Sequence, residues 1–127
     1  MVTTTQHIIV VEDDFSMNQA LERLLSAANW QTKSFSSAES LLDSGEAINA
    51  LCFIFDIRLP GLSGVDLWRQ LVKAGINCPV IFITGHEHPA FQEQINREGA
   101  AGYFLKPFSG RVLVEAVSNA IRSRAQV

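Results

Sequence analysis

Glu12 and Asp13 follow the apolar run Ile8-Ile9-Val10-Val11, and Asp56 follows Leu51-Cys52-Phe53-Ile54-Phe55. Thr84-Gly85 closes a third run, Val80-Ile81-Phe82-Ile83. Lys106, with Pro107 behind it, closes a fourth, Tyr103-Phe104-Leu105. Short apolar runs of this kind read as buried parallel strands. Their carboxyl ends converge on one edge of a sheet, where open α/β sheets place their chemistry. Neighbouring carboxylates repel one another, so they call for a compensating cation. Oxygen-only ligands on loops favour Mg²⁺, whereas zinc would want His or Cys. His86 and His88 have no second cluster with which to build a zinc site, so they read as loop or helix-cap residues.

With a divalent cation beside it, Asp56 can act as a nucleophile toward phosphorus and form an acyl phosphate. Such a transfer asks for charge neutralisation around the phosphoryl oxygens more than for covalent help. The Lys106 ammonium, a compact point charge, suits one oxygen. The Thr84 hydroxyl suits another, and Gly85 leaves the backbone open to close approach. Each residue alone says little. A strand-end Asp is more often a turn residue, and a lone Lys is usually a solvated charge. Asp14 reads as an N-cap. Glu12 stays open between second acid and spectator. The specificity lies in all four strand ends carrying the right group in the right order.

Five strand-like runs alternate with five amphipathic patterns. The first strand is about 7–11, and Met17, Leu21, Leu24, Leu25 and Ala28 then recur at the helical period. Residues 31–35 are more polar, as suits a sheet edge. Ser36 to Glu39 has the form of a capping box before Leu41 and Leu42. The third strand is about 51–55. Ser63 is an N-cap for a helix with Leu67, Leu71 and Val72, which Gly75 ends. After the strand at 80–83, Pro89 suits the first turn of a fourth helix, closed by Gly99. A short strand at 103–105 precedes Ser109 and a last helix with Val112, Leu113, Ala116, Val117, Ala120 and Ile121 inward. Five βα units imply right-handed crossovers and a doubly wound parallel sheet. Its expected strand order is the flavodoxin-like 2-1-3-4-5, which sets Asp13 and Asp56 side by side at the switch point.

At 127 residues the chain fits one domain with a real core. Apolar residues are 47% and charged ones 18%, which excludes disorder. A net charge of −3 gives no reason to expect nucleic-acid binding by this domain. No apolar stretch approaches a membrane span, and the polar start Met1-Val2-Thr3-Thr4-Thr5 does not begin a signal peptide. Cys52 and Cys78 read as reduced structural thiols, and the balance points to the cytoplasm.

The ordered set Val10-Val11-Glu12-Asp13, Asp56-Ile57-Arg58-Leu59-Pro60-Gly61-Leu62-Ser63-Gly64, Thr84-Gly85 and Lys106-Pro107-Phe108 resembles the response-regulator receiver domain. That domain is the phosphate-accepting module of bacterial two-component signalling, and the resemblance spans about 7–121. It implies that Asp56 accepts a phosphoryl group from a sensor histidine kinase. Asp13, Asp56 and the Arg58 carbonyl would contact Mg²⁺, with Glu12 acting through water. By the same resemblance Lys106 and Thr84 hold the phosphoryl group. Thr84 and Tyr103 form the switch pair, and the Lys106–Pro107 bond is cis. The output surface would be the fourth helix, fifth strand and fifth helix, where phosphorylation drives homodimerisation or partner docking. Thr84-Gly85-His86 and Lys106-Pro107-Phe108 look closest to transcription regulators with a C-terminal helix-turn-helix module. No such module follows here. The chain reads as a single receiver domain over 1–127, either complete or the front of a longer regulator, with 122–127 as the start of a linker.

Two rivals stand beside this reading. A haloacid-dehalogenase-type phosphohydrolase also uses Asp, Thr, Lys and Mg²⁺, but it needs an acid two residues after the nucleophile to protonate the leaving group. Arg58 occupies that position. An unphosphorylated receiver-like binding module is the second, and the intact constellation argues against it.

Overall fold

Four runs are predominantly apolar, and the computed structural model, which describes residues 6–125, makes each a strand of one sheet. They are β1 (His7–Val11), β3 (Ala50–Asp56), β4 (Val80–Thr84) and β5 (Gly102–Leu105). The more polar β2 (Thr32–Phe35) takes one edge. The order is β2-β1-β3-β4-β5 with every neighbouring pair parallel, as expected.

Alternation along the strands splits the core in two. Ile9, Val11, Phe53, Phe55, Val80 and Phe82 face α2 (Ala38–Ser44), α3 (Gly64–Lys73) and α4 (Pro89–Arg97). Ile8, Val10, Cys52, Ile54, Ile81 and Ile83 face α1 (Phe15–Ala27) and α5 (Gly110–Ala125). Both cysteines are free and buried, and burial pushes the Cys78 thiol up to about 12. Such thiols are inert packing groups.

The caps mostly follow the sequence. Asp14 caps α1 by accepting the Ser16 and Met17 N–H groups, and Ser63 caps α3 through the Asp66 N–H. Pro89 opens α4. Three details differ. The cap of α2 is Ser37, not Ser36, because Ser37 is extended and its hydroxyl reaches the Ser40 N–H. Glu39 therefore falls one position short of closing a capping box, and its carboxylate turns instead to the Leu62 N–H at 2.8 Å. Val112 is 48% exposed, since Leu113 and Val117 define the buried stripe of α5 and Val112 lies on its flank. A 3₁₀ turn, Glu46–Asn49, also precedes β3.

Helix α4 is held lightly. Ile95 is its one fully buried residue, and its N-cap His88 makes no side-chain cap bond. At the other end, Glu98 receives a two-pronged guanidinium from Arg69 of α3, at 2.9 and 2.7 Å. Among the described residues no helix is long and apolar enough to cross a membrane.

Candidate functional site

A strand buried on both faces can place a charged group only at its end, where the chain leaves the core. Glu12 lies directly beyond β1, Asp56 ends β3, Thr84 ends β4 and Lys106 lies directly beyond β5. Parallel pairing brings these ends level, with Asp56 opposite Ile83 and Thr84 opposite Leu105. Glu12, Asp56 and Thr84 are almost fully buried, and Asp13 is exposed at the rim.

Lys106 ties the site together. Its ammonium donates to Glu12 Oε1 at 2.5 Å and to Asp56 Oδ2 at 3.0 Å. The other oxygen of Asp56 accepts the Arg58 N–H at 3.0 Å. Glu12 Oε2 accepts the Asp14 N–H, and Asn18 of α1 donates to the Glu12 carbonyl. Carboxylate oxygens of Glu12, Asp13 and Asp56 all lie within 4.8 Å of one another, which suits a hard divalent cation. Asp14, engaged in capping, is not part of this group.

One cation faces two buried acids, and the charge states follow. Burial, then the hydrogen bond with Asp56, push Glu12 up from 4.5 to about 7 against the opposing pull of Lys106. Burial works against the Lys106 charge, but Glu12 and Asp56 together outweigh it and hold the ammonium above its ordinary value. Without a metal ion, Glu12 thus holds a proton more readily than a free glutamate does.

Thr84 and Tyr103 stand apart from that cluster. The Thr84 hydroxyl accepts the His86 N–H at 3.2 Å and donates to the His86 carbonyl at 3.4 Å. The Tyr103 hydroxyl donates to that same carbonyl at 3.3 Å. The link from Thr84 to the charged site is through the main chain, where Lys106 N–H donates to the Thr84 carbonyl at 2.7 Å. The Lys106–Pro107 peptide bond is cis, as the resemblance implied. The Arg58 side chain is exposed, and only its amide faces Asp56 in a hydrogen bond.

Gly64 has a role that sequence reasoning missed. A Cβ there would lie 2.1 Å from the Asp56 carbonyl oxygen, so only glycine lets α3 start against the Asp56 peptide. Gly64 also donates its N–H to the Ile57 carbonyl at 3.1 Å. A glycine directly after a helix-capping serine was the available signal. Glu39 carried none, because its partner Leu62 is remote in sequence.

Residues 8–118 match the family model described as the response regulator receiver domain. The chain is similar to nodulation protein W of Bradyrhizobium diazoefficiens, 36% identical over 115 residues, or 91% of this chain and 51% of that protein. It is 31% identical to the transcriptional regulatory protein FixJ of the same organism, over 95% of this chain and 59% of the relative. The chain therefore spans a little over half the length of these two relatives. A solved response regulator receiver domain protein from Clostridium thermocellum shares the fold with a TM-score of 0.86 at 27% identity, covering 95% of this chain and 98% of that one.

Proposed function

The chain belongs to the response regulator receiver domain family, and from that premise we propose that it is the phosphoacceptor switch of a two-component system, with Asp56 taking the phosphoryl group. One observation carries the assignment. Among the site's three acids, Asp56 alone belongs to the sheet, as the last residue of the central strand, where the Lys106 ammonium and the Arg58 N–H hold its two oxygens.

In the proposed reaction a carboxylate oxygen of Asp56 bonds to phosphorus as the N–P bond of a phosphohistidine on a sensor kinase breaks. The departing imidazole keeps the bonding pair and takes up a proton. A Mg²⁺ ion, when bound, supplies positive charge for the phosphoryl oxygens. The all-oxygen set of Asp13 and Asp56, with the Arg58 carbonyl and Glu12 through water, fits that ion. Lys106 holds a second phosphoryl oxygen, and Thr84 leaves the His86 peptide to hold a third. The domain catalyses only its own phosphorylation and dephosphorylation, in the cytoplasm.

The response is a change of partner surface on α4, β5 and α5. Leu105 and Val112, 40% and 48% exposed, are apolar groups on that surface and support homodimerisation or docking there. Regulation of transcription is the proposed output, executed by a module outside residues 1–127, with no direct contact between this domain and nucleic acid. Intact mass after incubation with a small phosphodonor and Mg²⁺ tests the core of the proposal. Wild type gains one phosphate and Asp56→Asn gains none. Equal labelling of the variant would sink the assignment.

A further inference from the structure

The loop between β3 and α3 starts beside the nucleophile and has to place the Arg58 main chain. Its two ends are pinned by three main-chain N–H groups. Arg58 N–H reaches Asp56 Oδ1, Ile57 N–H reaches the Ile83 carbonyl at 3.0 Å, and Gly64 N–H returns to the Ile57 carbonyl. Its tip is Leu59-Pro60-Gly61-Leu62. Pro60 followed by Gly61 at φ 78° suits a type II turn, whose closing donor would be the Leu62 N–H. That donor goes elsewhere, to Glu39 Oε2 of α2 at 2.8 Å.

The fit at this point is close. A Cβ at Gly61 would meet Glu39 Oε2 at 2.6 Å, so the carboxylate occupies the space that a side chain would fill. The Leu62 N–H, followed by Glu39's own amide, holds the Glu39 carboxyl below the usual carboxylate range. Leu59 and Leu62 pack their half-buried side chains on the same core face as α2. The tip is thus clamped between an apolar floor and one charge-assisted hydrogen bond.

We infer that Glu39 is a positioning residue for the phosphoacceptor site: by gripping the Leu62 N–H it fixes the loop tip and, through it, the Arg58 carbonyl offered to the cation. The inference rests on the metal reading of the site proposed above. The acid contributes without touching the cation, the phosphoryl group or Asp56. A side-chain oxygen at this place is the feature required, and glutamine supplies a neutral one there.

The test compares wild type, Glu39→Ala and Glu39→Gln by amide hydrogen exchange and by Mg²⁺ titration. In Glu39→Ala the Leu62 amide exchanges about tenfold faster and Mg²⁺ binds roughly threefold to tenfold more weakly. In Glu39→Gln both quantities return to within about twofold of wild type, because one acceptor has replaced another. Unchanged Leu62 exchange in Glu39→Ala overturns the anchor. Faster exchange with wild-type Mg²⁺ affinity confines Glu39 to loop stability and overturns the positioning role. A wild-type protein that binds no Mg²⁺ defeats the metal reading itself and this inference with it. That outcome is visible before any variant is compared.

Discussion

Thr84 and Tyr103 share one acceptor: both hydroxyls donate to the main-chain carbonyl of His86, at 3.4 and 3.3 Å. The two residues come from neighbouring strands, with Phe82 paired to Tyr103 in the β4–β5 register. The His86 peptide therefore senses both side chains at once. If Thr84 turns toward a phosphoryl group on Asp56, it gives up this peptide, and Tyr103 loses the neighbour that shares its acceptor.

Tyr103→Phe separates the two ends of that link. The lost bond is long and solvent-accessible, so the variant loses about 1 kcal/mol of stability at most in urea denaturation. Labelling of Asp56 proceeds at the wild-type rate, because the Tyr103 hydroxyl touches no group of the acidic site. The change in association state on adding a phosphate analogue such as beryllofluoride is lost, as read by sedimentation. Dimerisation matching wild type would refute the coupling.

Glu12 gives the metal-free protein a pH dependence of fixed sign. Its folded value, about 7, lies above its ordinary 4.5. Between those values the folded protein keeps a proton that the unfolded chain has released. Stability therefore falls as pH rises through this window, and the loss is complete above the folded value, by about 3 kcal/mol at most. Glu12→Gln can still accept from Lys106 but cannot ionise, so its stability is flatter from pH 5 to 8 and exceeds wild type at pH 8. Chemical denaturation at both pH values, in the presence of a chelator, reads the difference. A wild-type protein more stable at pH 8 than at pH 5 by the same margin as Glu12→Gln contradicts it.

Asp13 and Asp14 are adjacent but have different tasks. Asp14 accepts two N–H groups at the start of α1, so Asp14→Ala costs about 1 kcal/mol and leaves Mg²⁺ affinity within about twofold. Asp13 is exposed and lies in the carboxylate cluster. Asp13→Asn keeps stability and weakens Mg²⁺ binding by roughly tenfold or more, since one anionic ligand is gone. Calorimetric titration and thermal melts on both variants give a crossed pattern. The reverse pattern would shift the acidic pair by one residue.

The sheet was legible because β1, β3 and β4 are buried on both faces and leave unbroken apolar runs. Strand order followed from chain length and the βα alternation, and with it the neighbouring of Asp13 and Asp56, whereas the direct Lys106–Glu12 contact left no mark in the sequence. What escaped notice depends on bonds that leave no local pattern. Ser36 and Ser37 are equally able to cap, and only backbone conformation decides between them. Glu39 finds a partner 23 residues away. The Thr84 hydroxyl has a main-chain partner, and a peptide group has no identity in a sequence. Val112 matched the helical period loosely, but α5 turns its narrow stripe to the sheet through Leu113 and Val117.

The Arg69–Glu98 fork has a mechanical consequence. It clamps α4 just past its C-terminal end, while Ile95 is its one fully buried residue, Phe91 packs half-buried on the core, and His88 at the other end has no side-chain cap bond. A rod held that way can pivot more readily than it can slide. With nine residues, α4 is a lever roughly 13 Å long, so a turn of about 10° at the clamped end sweeps the far end through about 2 Å. The uncapped end lies two residues past the His86 peptide, where small displacements would begin. The fork would turn a local shift of hydroxyl partners into an arc wide enough for another protein to feel.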